Sequence, residues 1–214
     1  MPRHRPGPEG GVRDRNRQDN LRKLCDVGLG LFLVDGTAAV SIDDIVGAAG
    51  MAKGSFYRYV SDKAELVAHI IGPVADLVIQ TLDRCEDALR TARGESMIDQ
   101  IYLRLALELA QIVAAHPTTI LFYLQEARAP RGGARGSIHA LSDQLTARTI
   151  KLTEVAREHG LIRDVDARVA ALTVVGAIDG ILFASLRGRG GISDATAVVT
   201  ELVRIVLHGI RVAR

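Results

Sequence analysis

The sequence predicts an all-α protein, a small three-helix head on a larger helical body, and three observations carry that prediction. Apolar residues recur at helical spacing through most of the 214 residues, and strand-like alternation is hard to find. Proline is sparse, at 6 residues, with three of them in the first eight positions and the rest at candidate helix breaks. Hydrophobic residues make up 48%, enough for a sizeable core and too many for global disorder.

Residues 1–16 carry three prolines, three glycines and four arginines without hydrophobic periodicity. They read as a flexible basic arm, either a solvated tail or an arm that touches DNA phosphates or the minor groove. The segment lacks the apolar core of a signal peptide, and a cytoplasmic location is expected. A first helix is expected from about Arg17 to Val34, with Leu21, Leu24, Val27, Gly28, Leu31 and Phe32 on one face. Gly28 and Gly30 weaken it by about 1 kcal/mol each, tolerable where another helix packs closely. Asp35-Gly36-Thr37 ends it.

Ser41 to Leu66 is the most informative stretch. Ser41 with Asp44 forms a capping box for a short helix whose inward face is Ile42, Ile45, Val46 and Ala49. Gly50 supplies a positive φ to leave it. A second short helix follows over Ala52–Tyr59, and Asp62 with Glu65 makes a second capping box for a third. Helix, glycine turn and helix is the helix-turn-helix signature. Net charge is only +2, so affinity for nucleic acid must come from local segregation of charge. No acid lies between Asp44 and Asp62, while Lys53 and Arg58 are basic and Ser55, Tyr57 and Tyr59 can donate hydrogen bonds.

Gly72-Pro73, between a domain at 17–72 and a body at 73–214, is expected to kink or break the third helix, and reads either as a tolerated kink or as a flexure between the two. Helices are then expected over Val74–Leu89, from Ser96 or Met97 to Ala115, over Thr118–Ala129 and over Ser137–His159, with a break at His116-Pro117 and a loop at Pro130–Gly136. From Val169 to Leu186 the only charged residue is Asp179, so this helix needs burial all round. Interrupted by Thr173, Asp179 and Ser185, it makes a poor membrane span, and no membrane association is expected. Gly176 and Gly180 share a face that lets another helix come close. With a last helix at about 193–212, residues 166–187 are expected to pair with a second copy as a homodimer.

The head resembles the TetR family of bacterial transcriptional repressors. The resemblance is carried by Leu24 to Phe32, Gly36, Val40-Ser41-Ile42, Ile45, Ala48-Ala49-Gly50, Lys53 to Tyr59, Lys63 and Leu66. Cys25, Gly28, Gly30, Ala52 and Val60 depart from the usual pattern, and Ala52 removes a hydroxyl often found there. The resemblance implies that Ala52–Tyr59 enters the major groove of double-stranded DNA. Tyr57, Tyr59 and Lys63 would grip phosphates, Lys53 and Ser55 would lie nearest the bases, Ser41 would meet the backbone, and Gly54 would allow a close approach beside Arg58. It also implies a body that binds a small-molecule effector. Beyond the head, length and helix count are only compatible with the family.

For the effector pocket the candidates are Tyr102, Phe122, Tyr123 and Asp179, and the apolar body favours a lipophilic effector. Three readings of Asp179 stand: a ligand contact, a pair across the dimer, or a carboxylate capped by a hydroxyl. An enzyme is not expected, since nucleophile-elbow, Walker-type and zinc-protease motifs are missing from the sequence. The six histidines make no metal spacing, and no metal or other cofactor is expected. Cys25 and Cys85 read as buried or half-buried thiols. The expected function is ligand-released repression at a palindromic operator. Two alternatives stand: a lipid-carrier or adaptor module with a silent head, and an activator on the same fold.

Overall fold

The computed structural model describes residues 12–92, 95–160, 162, 164–188, 201 and 205. Their regular elements are all helical. These are α1 (Val12–Ala39), α2 (Ile42–Ala48), α3 (Lys53–Phe56), α4 (Lys63–Thr91), α5 (Glu95–Ala115), α6 (Pro117–Glu126), α7 (Gly136–Glu158) and α8 (Ala167–Leu186), with one 3-10 turn at Gly133–Arg135. The chain divides into two compact units. One runs to Ile70 and takes in Arg131–Ser137, and the other holds Ile71–Pro130 and the chain from Ile138 onward.

In the first unit α1 starts at Val12, five residues before the expected Arg17. Its opening turns are polar helix formers, which carry propensity without apolar periodicity. It breaks at Gly36 (φ 78°, ψ 157°), where only glycine is unstrained. Leu24, Phe32, Ile45, Phe56, Leu66 and Val67 are the deeply buried side chains of this unit. Gly28 has the close neighbour its position called for, since an added Cβ would lie 3.1 Å from Leu66 Cδ2. Gly30 has open space around it.

Of the kink or break expected at Gly72-Pro73, a break is absent, because α4 continues through Pro73. Val67, Ile70, Ile71 and Val74 around it are buried. At about 1.5–3 kcal/mol per side chain, their burial outweighs the roughly 3 kcal/mol that an interior proline costs. The boundary between the two compact units falls at Ile70 and Ile71, beside this site.

In the second unit Leu82, Cys85 and Leu89 of α4 meet Leu152 and Val155 of α7, with Tyr102 and Leu105 of α5 packed against them. Glu108 of α5 accepts from Arg84 at 2.7 Å and from Arg104 at 2.8 Å. Proline at the first position of α6 starts a new helix at the expected break, and the chain turns by 97° between α5 and α6. Gly160, at φ 67°, follows α7. Asp166 caps α8 by accepting from the Val169 amide at 2.9 Å.

Helix α8 is apolar, yet its buried residues are only Ala167 and Ala171, while Val169 and Leu172 are 63% and 53% exposed. By length and composition alone α4 and α8 could each cross a membrane. Apart from residues 201 and 205, the expected helix over 193–212 lies outside the described residues, as do residues 1–11 of the expected arm.

Candidate DNA-binding site and effector cavity

The helix-turn-helix is built from α2, the turn at Gly50-Met51-Ala52, and α3. Ser41 caps α2 in the expected box: the Asp44 amide donates to Ser41 Oγ at 3.1 Å, and Asp44 accepts from the Ser41 amide at 2.8 Å and its hydroxyl at 2.6 Å. These bonds hold the Asp44 carboxyl below its ordinary pKa. Gly50 sits at φ 63° and donates to the Gly47 carbonyl, while the Met51 amide reaches back to Val46 at 2.8 Å. That pair of bonds is a Schellman ending, and it turns the chain sharply into α3.

Helix α3 is shorter than expected. Only Lys53–Phe56 is α-helical, and Tyr57–Tyr59 continues as turns, with the Tyr59 amide donating to the Phe56 carbonyl at 2.9 Å. Ala52 occupies the N-cap in extended geometry and offers no side-chain cap. The departure seen in the sequence therefore falls where a hydroxyl would have held the first turn.

Phe56 and Val60 are buried, so the residues between and before them face outward. Tyr57 is 53% exposed and meets the Phe56 ring edge-on at 5.4 Å. Arg58 is exposed, donates to Ser55 Oγ at 2.9 Å and lies 5.8 Å from the Tyr59 ring centre. Tyr59 and Ser55 are half-buried. A Cβ on Gly54 would meet nothing within 4 Å, so nothing among the described residues requires glycine there.

Two expected DNA contacts have partners that the sequence did not reveal. Lys53 Nζ donates to Asp43 at 2.8 Å, an exposed ion pair that raises the lysine pKa. Lys63 Nζ donates to the carbonyls of Thr37 at 2.5 Å and Val40 at 2.7 Å, tying the start of α4 to the chain after Gly36. The second capping box is shifted by one residue. Asp62 accepts from the Glu65 amide at 2.8 Å, but Glu65 accepts from the amide and hydroxyl of Ser61, at 2.6 and 2.7 Å.

The second unit holds a cavity of about 140 Å³ between aliphatic side chains of α4, α5, α6, α7 and α8. Tyr123 and Asp179 line it; Tyr102 and Phe122 do not. Tyr102 packs into the cluster around Leu82 and Cys85, and burial pushes its pKa up. Phe122 is wholly buried. It is one residue from Tyr123, about 100° round the helix, and so faces elsewhere. Burial also raises the Asp179 pKa, with Arg128 pulling the other way. The sequence reading missed the polar lining residues Thr119 and Thr149. Thr119 stands four residues before Tyr123, a same-face spacing that was available.

A family model described as bacterial regulatory proteins, tetR family, matches residues 24–70. A second, described as tetracyclin repressor-like, C-terminal domain, matches residues 103–210. The chain belongs to the TetR family of bacterial regulatory proteins. It is therefore a transcriptional regulator with a DNA-binding helix-turn-helix, and regulators of this family are in general not enzymes. The second match also carries the family pattern well past the head, where sequence reading alone found only compatible length.

Several solved structures share the fold of this TetR-family chain. The transcriptional regulator FadR from Bacillus subtilis, in complex with stearoyl-CoA, is 16% identical with a TM-score of 0.67, covering 89% of this chain and 99% of that one. The ketosteroid transcriptional regulator KstR2 of Mycobacterium tuberculosis is 21% identical with a TM-score of 0.63, covering 95% and 98%. AibR, in complex with isovaleryl coenzyme A and operator DNA, is 19% identical with a TM-score of 0.64, covering 87% and 97%. The curated proteins contain no match.

Proposed function

We propose that this TetR-family regulator is a cytoplasmic repressor that binds a palindromic operator as a homodimer and leaves it when a small lipophilic effector enters the body. The observation that carries the reading is the outward set Lys53, Gly54, Ser55, Tyr57 and Arg58, mounted on the buried pair Phe56 and Val60. Phosphate contacts from Tyr57, Tyr59 and Arg58 would fix register, and Lys53 and Ser55 would meet base edges. Ser41 and Lys63 would join them, from positions where their side chains already serve the fold. In functional terms the DNA-binding part is residues 17–72 and the effector and dimerisation part is 73–214.

Pairing of copies is supported by α8. Val169 and Leu172 on it are exposed, most of its other apolar residues are only half-buried, and no described side chain lies near the Cβ positions of Gly176 and Gly180. A second copy covering that face, and not a bilayer, is the reading favoured by a helix that also carries the charged Asp179. Effector control is supported by the cavity and by neighbours whose structures hold stearoyl-CoA and isovaleryl coenzyme A.

Gel-shift titration of Lys53→Ala and Tyr57→Ala on a selected operator tests the assignment. Each should weaken binding by about tenfold or more, as expected for a lost charged or phosphate hydrogen bond. Unchanged affinity in both would refute it.

A further inference from the structure

Resting on the reading of the body as an effector-binding domain, the cavity also states what kind of molecule fits. Its lining is aliphatic apart from Tyr123, Thr119, Thr149 and Asp179, and among the described residues no lysine, arginine or histidine reaches it. Two of the polar groups are already engaged. The Thr149 hydroxyl donates to the Leu145 carbonyl at 2.8 Å, and the Tyr123 hydroxyl is hydrogen-bonded with Ser142.

Asp179 is different. It is half-buried, it is the only charged side chain among the described residues of the lining, and none of them hydrogen-bonds its carboxylate. The nearby cation, Arg128, is committed elsewhere. Its guanidinium donates to the backbone carbonyls of Leu124 and Asp179 and lies 4.4 Å from the Phe183 ring centre. Arg187 lies 4.8 Å from the same centre and donates to Gln125 at 3.2 Å. Neither guanidinium lines the cavity.

A half-buried carboxylate whose nearby cation spends its hydrogen bonds elsewhere is costly to keep charged, and an entering hydrogen-bond donor relieves that cost most when it is itself charged. An entering anion would meet Asp179 with like charge and find no donor set to replace its water. Size narrows the choice further. A cavity of roughly 150 Å³ takes a benzene-sized group.

We infer that the cavity selects a small apolar molecule carrying a protonated amine, which the Asp179 carboxylate receives, and that it turns away carboxylates and phosphate esters. Burial raises the Asp179 pKa, and an ammonium partner would bring it back down.

Calorimetric titration of the full-length protein with three probes of matched size tests this: 2-phenylethylamine, 2-phenylethanol and phenylacetate. The amine should bind about tenfold or more tighter than phenylacetate, with the alcohol between them. Asp179→Asn should remove the amine's advantage over the alcohol. Phenylacetate binding as tightly as the amine would overturn the inference, as would an amine preference that survives in the variant or binding of none of the three. Stearoyl-CoA as a fourth probe separates the two levels of the account. If it alone binds and releases operator DNA, the amine inference fails and the effector-responsive reading stands.

Discussion

Lys63, proposed above to join the DNA contacts, also braces the fold. Its ammonium holds two carbonyls of the chain after Gly36, in a part-buried setting. Removing it leaves those acceptors without that donor, at about 1–3 kcal/mol for hydrogen bonds to a charged group. Lys63→Ala should therefore lower stability in urea by that amount. The salt dependence of operator binding then separates the roles. A slope smaller in magnitude by about one unit means that Lys63 also displaces a counterion from phosphate, and an unchanged slope means that it only braces the head. The cysteines need no such division. Burial pushes the Cys25 thiol up to about 11 and the Cys85 thiol up to about 12, so neither is poised as a nucleophile.

At the scale of elements, α3 is the weak member of the head. It has four residues, no side-chain N-cap and one buried anchor within it, Phe56. Ala52 already has the extended geometry of an N-cap (φ −71°, ψ 145°), so a hydroxyl added there meets its amides without rebuilding the turn. Ala52→Ser should raise stability by about 0.5–2 kcal/mol, read from the urea midpoint at constant slope. No gain would mean that the α3 amides do not lack a partner. The elements legible in the sequence were those with local punctuation. Ser41 and Asp44 announced α2, Gly50 its end, and Pro117 the start of α6, because caps and breakers act within one turn of themselves. Illegible were features set by distant packing. Burial carries α4 through Pro73, Asp43 comes to Lys53 from ten residues away, and the cavity wall is assembled from five helices. Tyr102 and Phe122 were chosen for their chemistry, whereas the face each presents decides whether it meets the cavity.

At the scale of the whole molecule, three carboxyls tie stability to acid in the same direction. Asp44, held by Ser41, Glu65, held by Ser61, and Glu108, held by Arg84 and Arg104, all lie below the ordinary carboxylate pKa. A depressed folded pKa means that the unfolded chain binds protons first. Their contribution is complete above the ordinary carboxylate range and is lost as pH falls through the depressed values. Asp179, raised by burial, acts oppositely and disfavours the folded state as it ionises. Urea midpoints should therefore fall on acidification from pH 5 to below about 4, where exposed carboxylates titrate. A rise over that interval would contradict the assignment of these three groups.

The central claim is that two copies of this head read one DNA site together. Selection from a random pool of double-stranded DNA with the intact protein, followed by sequencing, tests it most directly. The account predicts enrichment of an inverted repeat whose half-sites are centred about one helical turn apart or more, roughly 34–36 Å or beyond. A pool that stays random, or that yields only an unpaired half-site, would contradict it.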